Sequence, residues 1–564
     1  MKEKVPEISI NSEIELVGEL HDRVNVLLFG ADNTGANDST PAFQEAMNYI
    51  KTLGGGKLII PQGKYWLNDH VELCSNVYIQ GIGSPVLFST SSSKDYVAFY
   101  GKSYKKGYDG GVQNIIIDGC TFKGSFTVGK RKGSSCTFHH ARNILVKNCL
   151  FTESVINGHS LDLLGCMNVK VLDCIFEGFD VQEGREYVEA IQIDHSNAES
   201  NGSNDTDYST NDGLATINVT VERCEFRPLK IGDKLYPAPN PLGSHSRVIG
   251  NKFNNIKFIN NVVKDCVDTS TTTYCKGWLH FCWADNILVE GNLFESTTNS
   301  AHTVITTPTF STAFPVSVVD NPNAEKVSTT PAVTRGLTIK NNIFKGFSTN
   351  KNEPLVDIKG MVANGVNYYT HDVIINENQY VNCIPSNATL PSNTGSDLIN
   401  LELAENIVIA FNTLYNCKRL LTASRVRHLK VESNKIQKNY WVAINTEESY
   451  DVDISNNSLW DYACGFYFKN NSVLQITRNS LAQELVSSAA ATTYEQAIAI
   501  NSCNDIIVDS NRIVANSNTL LKRGINIYGT STNGRIHFLI VKGFPQRSGI
   551  GGSTNNIQEI NPIV

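Results

Sequence analysis

Asp162 and Asp194, each close to histidines, have the residue types and spacing expected of an acid/base pair. They lie in short segments of alternating apolar and polar residues, HSLDLLGC from His159 and EAIQIDHS from Glu189. SHSRVIG from Ser244 and WLHFCWAD from Trp278 have the same look. Alternate side chains of a strand point to opposite faces. Leu161 and Leu163 therefore face inward, and Ser160, Asp162 and Leu164 outward. Likewise Ile191 and Ile193 face inward, and Ala190, Gln192 and Asp194 outward. On adjacent strands the two aspartates are one strand spacing (about 4.8 Å) and one outward position (about 6.6 Å) apart. Their diagonal of about 8 Å leaves room for a water between an acid and a base, the arrangement of inverting glycoside hydrolysis.

Other residues join this pair as candidates. Glu189 has the parity of a core residue, so it is either a third catalytic carboxylate reaching the groove from a corner or a buried, paired one. His159, Gln192, His195, His245 and His280 are expected to bind substrate or tune a carboxylate. Counting back from the next asparagine puts His280 at the same offset as Asp162, with His245 near that column. Arg247 and Lys276 are the obvious cations nearby. Trp278, Trp283 and Tyr274 can stack on sugar rings or pack in the core. The competing reading of each outward aspartate is a solvated or turn-bonded side chain. No metal and no cofactor is expected.

A repeat must position these residues. The pattern is Asn or Asp, alternating aliphatics, a polar residue, Asn or Cys, then an aliphatic or aromatic pair. It appears as NIIIDGCTF from Asn114, NILVKNCLF from Asn143 and NVKVLDCIF from Asn168, and it persists to DIIVDSNRI from Asp505. From Asn412 to Asn434, Asn457 and Asn479 the steps are 22, 23 and 22 residues, the length of one coil of a parallel β-helix. The closing residues run Cys120, Cys149, Cys174 and Cys224, then Asn261, Asn292, Asn342, Asn378 and Asn412. Stacked asparagines at such a turn can satisfy one another, and small thiols can replace them. The fold predicted is all-β, a single-stranded parallel β-helix of about 13 or more rungs. Between Cys120 and Asn342 the steps lengthen to 29, 25, 50, 37, 31 and 50, so loops near 196–216, 229–247 and 298–335 are expected to wall in a groove.

Asp38-Ser39-Thr40-Pro41 followed by Ala42, Phe43, Ala46, Met47 and Ile50 predicts a short amphipathic helix. Such a helix would cap the exposed first rung. The organisation read from these patterns is an N-terminal arm (1–28), a cap with the first rungs (29–112), the main β-helix (113–516) and C-terminal rungs with a tail (517–564).

With 41% hydrophobic and 18% charged residues, the 564-residue chain is not of disordered composition, and its net charge of -7 argues against nucleic acid as its main partner. No apolar run is long enough to insert in a membrane. The opening MKEKVPEISINSEIELVGEL lacks a secretory apolar stretch, so synthesis in a cytoplasm without a signal peptide is expected. The spacing of the 14 cysteines matches no zinc motif or small disulfide scaffold, and they read as small buried apolar residues.

The stretch FGADNTGANDSTPAFQEAMNYIKTLGGGKLIIPQGKYWL, Phe29 to Leu67, resembles the opening module of the pectate-lyase-like right-handed parallel β-helix superfamily. That group includes polygalacturonases, related exopolysaccharide hydrolases and the tailspike or appendage depolymerases of bacteriophages. The resemblance implies a polysaccharide partner and an endo-acting glycoside hydrolase of a cell-surface glycan. It further implies phage or prophage tail association in a virion tail, with a bacterial cytoplasm as the alternative, and a homotrimer on a tail or baseplate. The Asp-rich and Gly-His-Gly motifs of polygalacturonases are absent from the sequence, so their catalytic residues do not carry over. A polysaccharide lyase acting on a uronate and a non-catalytic glycan-binding β-helix are the alternatives.

Overall fold

The computed structural model describes residues 23–560 except 90–96, 127–134, 156–158, 181–187, 201–206, 245, 268–276, 298–302, 328–330, 332, 348–352, 385–396, 484–495, 516–520, 538 and 551–554. The described residues form two compact units. The first runs to Val267 and takes in 312–327; the second comprises 277–311 and the residues from 331 onward.

Both units are stacks of rungs, each rung laying down short strands that pair in parallel with the rungs before and after it. In the first unit one stack holds eight strands, from Arg23–Asn25 to Phe253–Ile259. Its inward residues superpose as Ile144, Val169, Val219 and Ile256. The matching stack of the second unit holds ten, from Ala284–Glu290 to Asn555–Ile560. There Leu337, Val373, Ile407, Leu429, Val452 and Leu474 superpose. Parallel strands joined in sequence connect with a right-handed sense, and the fold is a right-handed parallel β-helix. Aromatic rings pile up inside it: Phe122, Phe151, Phe176 and Phe226 stack at centroid distances of 4.8, 4.9 and 4.7 Å. The run after Arg523 continues the coil, because Gln546–Ile550 pairs with Arg523–Tyr528 and Asn555–Ile560 with Thr532–His537.

The predicted turn ladder is present. In the second unit Asn342, Asn378, Asn412, Asn434, Asn457, Asn479 and Asn511 are all buried. The side-chain Oδ1 of Asn434 accepts from both the backbone N–H and Nδ2 of Asn412, each at 3.0 Å. Its own Nδ2 donates to Asn457 Oδ1 at 2.9 Å and to the Ile409 carbonyl at 3.0 Å. In the first unit, Cys149, Cys174 and Cys224 donate their thiols to the corresponding strand carbonyls of Ile117, Val146 and Val171 at 3.8, 3.7 and 3.5 Å. All 13 described cysteines are buried and unbridged, and burial pushes the Cys120 and Cys174 thiols well above their ordinary range.

A second ladder forms where each motif opens. Asn114, Asn143, Asn168 and Asn218 hold φ of 59°, 58°, 60° and 55°, a left-handed conformation that asparagine tolerates. Each donates its amide to the asparagine of the preceding rung at 2.8–3.1 Å. Val473 occupies the same place in a later rung at φ 57°, where a β-branched side chain is strained.

Helix α1 (Thr40–Thr52) buries Ala42, Phe43, Ala46, Met47 and Ile50. Phe43 meets Tyr65 edge-on at 5.4 Å, so the apolar face lies against the first rungs. Its start differs from a simple side-chain cap. The Ser39 hydroxyl accepts from Asp32 N–H at 3.0 Å, while Asp38 Oδ1 accepts from Thr40 N–H at 2.9 Å. No described helix is long and apolar enough to cross a membrane.

Two substitutions test the ladders by denaturant midpoint. Asn434→Ala strands several buried polar groups and should lower stability by about 3 kcal/mol. Val473→Asn should raise it by about 1 kcal/mol through relief of the left-handed strain.

Candidate functional site

In the first unit the candidate residues lie on β1 (Cys136–His139), β2 (Leu161–Leu164), β3 (Glu189–Asp194) and β4 (Asn240–Ser244). Leu161, Ile191 and Leu242 superpose on the core side. On the outer side Thr137, Asp162, Gln192 and Gly243 form one column, and His139, Leu164 and Asp194 the next. Asp162 and Asp194 are therefore one rung and one outward position apart, a diagonal of about 8 Å. Gln192 joins them: it is the register partner of Asp162, and its Nε2 donates to Asp194 Oδ2.

Exposure departs from the expectation drawn from alternation. Asp162 keeps part of its surface, but Ser160, Leu164, Ala190, Gln192 and Asp194 are buried. Alternation sets which way a side chain points but not what lies over it, and inserted segments cover this outer face. Ser246 N–H donates to Asp194 Oδ1 at 3.4 Å. Thr216 contacts the Asp194 carbonyl through both its N–H (3.2 Å) and its hydroxyl (3.0 Å).

The remaining candidates separate by position. His195 has no exposed surface; its Nδ1 is 2.8 Å from Ser246 Oγ and its Nε2 2.9 Å from the Asn251 carbonyl. It fastens the covering segment and presents no face to a ligand. Arg247 is also buried, with Nε donating to the Thr312 carbonyl at 2.8 Å. It anchors the 312–327 segment rather than a groove wall. Glu189 is the buried, paired carboxylate of the two alternatives. It is fully buried, accepts from Val188 N–H at 3.0 Å, and its Oε2 lies 3.9 Å from His159 Nδ1. His159 itself is bonded at Nδ1 to the Glu189 carbonyl at 2.8 Å. Trp278 and His280, in the second unit, are buried as well, and Trp278 packs on Phe347 at 5.2 Å. Trp283 is also buried. His245, Lys276 and Tyr274 lie outside the described residues.

Sequence reasoning passed over the residues that hold the cover down. His140 bonds Ser103 Oγ through Nδ1 and Asp212 Oδ1 through Nε2, both at 2.9 Å. Asp212 also accepts from the Gly107 and Leu214 N–H groups at 2.7 and 3.0 Å. Burial alone would raise the Asp212 carboxyl, but the His140 contact and these amides outweigh it and hold the group below its ordinary value. His139 donates or accepts at Nε2 with Ser196 Oγ at 2.8 Å. Burial, with the neighbouring His140, pushes its imidazole down to about 3. Aspartate within an insert and adjacent histidines were visible as letters, but nothing in their spacing said that they meet. Among the described residues no group of three or more His, Cys, Asp or Glu is arranged to hold a metal ion.

Residues 23–226 match the family described as rhamnogalacturonase A/epimerase, pectate lyase-like. That stretch takes in the opening segment from Phe29 to Leu67, and over it the chain is similar to the pectate-lyase-like β-helix proteins. Among curated proteins, plasmin and fibronectin-binding protein A of Streptococcus pneumoniae is 23% identical over 297 residues, 47% of this chain and 38% of that protein. The match thus spans well under half of that relative. Among solved structures, a surface adhesin of S. pneumoniae aligns with a TM-score of 0.47 at 16% identity, covering 81% of this chain and 90% of the adhesin. The tailspike protein of E. coli bacteriophage HK620 aligns with a TM-score of 0.47 at 13% identity, covering 94% and 80%.

The buried histidine gives a pH test. An imidazole with a native pKa near 3 takes up a proton far more readily once the chain unfolds, so acid favours unfolding. Its native environment carries no penalty above about pH 6.5, and stability should fall as pH drops from there toward 3. His139→Gln, which cannot titrate, should flatten that part of a stability-against-pH curve measured by denaturant unfolding.

Proposed function

We propose that this chain is a polysaccharide-degrading glycoside hydrolase whose carboxylate pair is Asp162 and Asp194. The observation that carries the reading is the register of β2 and β3, which sets the two residues about 8 Å apart on one outer face, within the range of about 6.5–9.5 Å for inverting enzymes. Asp162, the part-exposed member, meets the glycan and protonates the leaving oxygen. Asp194, held by Gln192 and the Ser246 amide, takes the proton of the attacking water. Its burial means that substrate enters only when the segment around Ser246 moves off it. The match of residues 23–226 to the rhamnogalacturonase A/epimerase, pectate lyase-like family supports glycan chemistry in general terms. The finer reading is an endo-acting depolymerase of a cell-surface glycan, carried as a homotrimer on a phage or prophage tail, and sedimentation of the purified chain as a trimer is the expected result.

The burial of Asp194, Gln192 and His195 favours one alternative, a glycan-binding β-helix without catalysis. The lyase alternative loses its nearest described cation, because Arg247 is buried and bonded.

New reducing ends without the ultraviolet signal of an unsaturated uronate are expected on a panel of bacterial surface glycans. Asp162→Asn and Asp194→Asn should each cut that rate about 100- to 10,000-fold while leaving the unfolding midpoint near that of the parent. Full activity in a folded Asp194→Asn protein would refute the pair. Retention on one glycan with no products would establish the binding alternative.

A further inference from the structure

The second unit carries a pocket that takes no part in the site above. Strands β5 (Met361–Ala363) and β6 (Val366–Tyr368) pair antiparallel, unlike the parallel rungs. The residues between them, Asn364 and Gly365, both have positive φ, 52° and 75°. That is the two-residue hairpin turn that Asn-Gly favours. The hairpin is an outgrowth of one rung, and its Val362 and Val366 are exposed.

Beside it lies a cavity of about 460 Å³ lined by Val366, Asn367, Tyr368, Tyr369, His371 and Arg427 among others. The Tyr369 ring is buried and serves as a floor for the Arg427 guanidinium, 4.4 Å from the ring centroid. Asn367 Nδ2 donates to the Tyr369 hydroxyl at 3.5 Å, tying the hairpin to that floor. Of the neighbouring carboxylates, Glu405, the register partner of both His371 and Arg427, lies 3.6 Å from His371 Nδ1, and Asp372 pairs with Arg335 at 2.9 Å. Arg427 is exposed and makes no ion pair among the described residues.

A guanidinium held over a ring by its central carbon leaves its N–H fork for a planar, bidentate acceptor, which a carboxylate is. Tyr368 adds an aromatic wall of the kind that packs on the apolar face of a sugar. The volume suits a ligand of small-molecule size. We propose that this pocket binds a carboxylate-bearing sugar unit of a glycan, with Arg427 gripping the carboxylate and Tyr368 covering the ring. The choice of a sugar, rather than another carboxylate, rests on the polysaccharide reading given above; the anion selectivity does not.

The test is calorimetric titration of the full chain with short glucuronate and galacturonate oligomers and with the same oligomers after reduction of their carboxyl groups to alcohols. Binding of at least one acidic oligomer, at least tenfold tighter than its reduced form, is expected. Arg427→Gln and Tyr368→Ala should each weaken it at least tenfold. Arg427→Lys, which keeps the charge but loses the fork, should fall between Arg427→Gln and the parent. Thermal melting checks that each variant is folded. Equal affinity for acidic and reduced oligomers, no binding of any acidic oligomer, or parent-like binding by a folded Arg427→Gln protein would overturn the proposal. Reducing-end release is followed on the same samples. Acidic-sugar binding lost with Arg427 but without hydrolysis leaves this pocket standing and removes the hydrolase reading, whereas hydrolysis with parent-like binding in Arg427→Gln does the reverse.

Discussion

At every rung the chain must turn sharply, and the turn would bury backbone N–H and C=O groups with nothing to bond them. The asparagine at the closing position resolves this for several groups at once. Asn434 accepts from the backbone and side chain of Asn412, and donates to Asn457 and to a strand carbonyl. Each amide therefore satisfies the rung before it and depends on the rung after it. Strand register, and with it which side chains share a column, follows from this coupling. The positions of Asp162, Gln192 and Asp194 derive from the same periodicity, although in their unit the thiols of Cys149, Cys174 and Cys224 stand at the closing position and make longer, weaker contacts to backbone carbonyls.

That coupling is why so much of the fold could be read directly from the sequence. An asparagine or cysteine must recur wherever a turn buries its backbone, so the ladder from Asn412 to Asn479 is written at steps of 22, 23 and 22 residues. The buried face of α1 follows from the same kind of regularity, because Phe43, Met47 and Ile50 repeat at helical spacing. The column geometry of Asp162 and Asp194 needed only the period of a strand and the pairing of neighbouring rungs.

The inserts obey no such period, and that is where the sequence reading ran out. Alternation correctly sends Asp194, Gln192 and Leu164 to the outer side, yet a segment anchored by His195, Ser246 and Arg247 removes them from solvent. Residues marked as groove ligands because they lay near the column turned out to be the fastenings of its cover. The pair His139 and His140 holds structure through Ser196 and Asp212, partners that no spacing in the sequence announces. One local signal could have been used: Asn364-Gly365 between short valine-containing runs is a strong hairpin marker, and it borders the Arg427 pocket.

The buried cysteines give the molecule a set of internal reporters. Cys120, Cys149, Cys174 and Cys224 fall on successive rungs of one stack, all of them unbridged and enclosed. Burial suppresses the thiolate of Cys120 and Cys174, and an alkylating reagent can reach a closed turn only after it opens. The order in which these four thiols become modified would therefore record the order in which the coil unwinds, one rung at a time, with no label added to the chain.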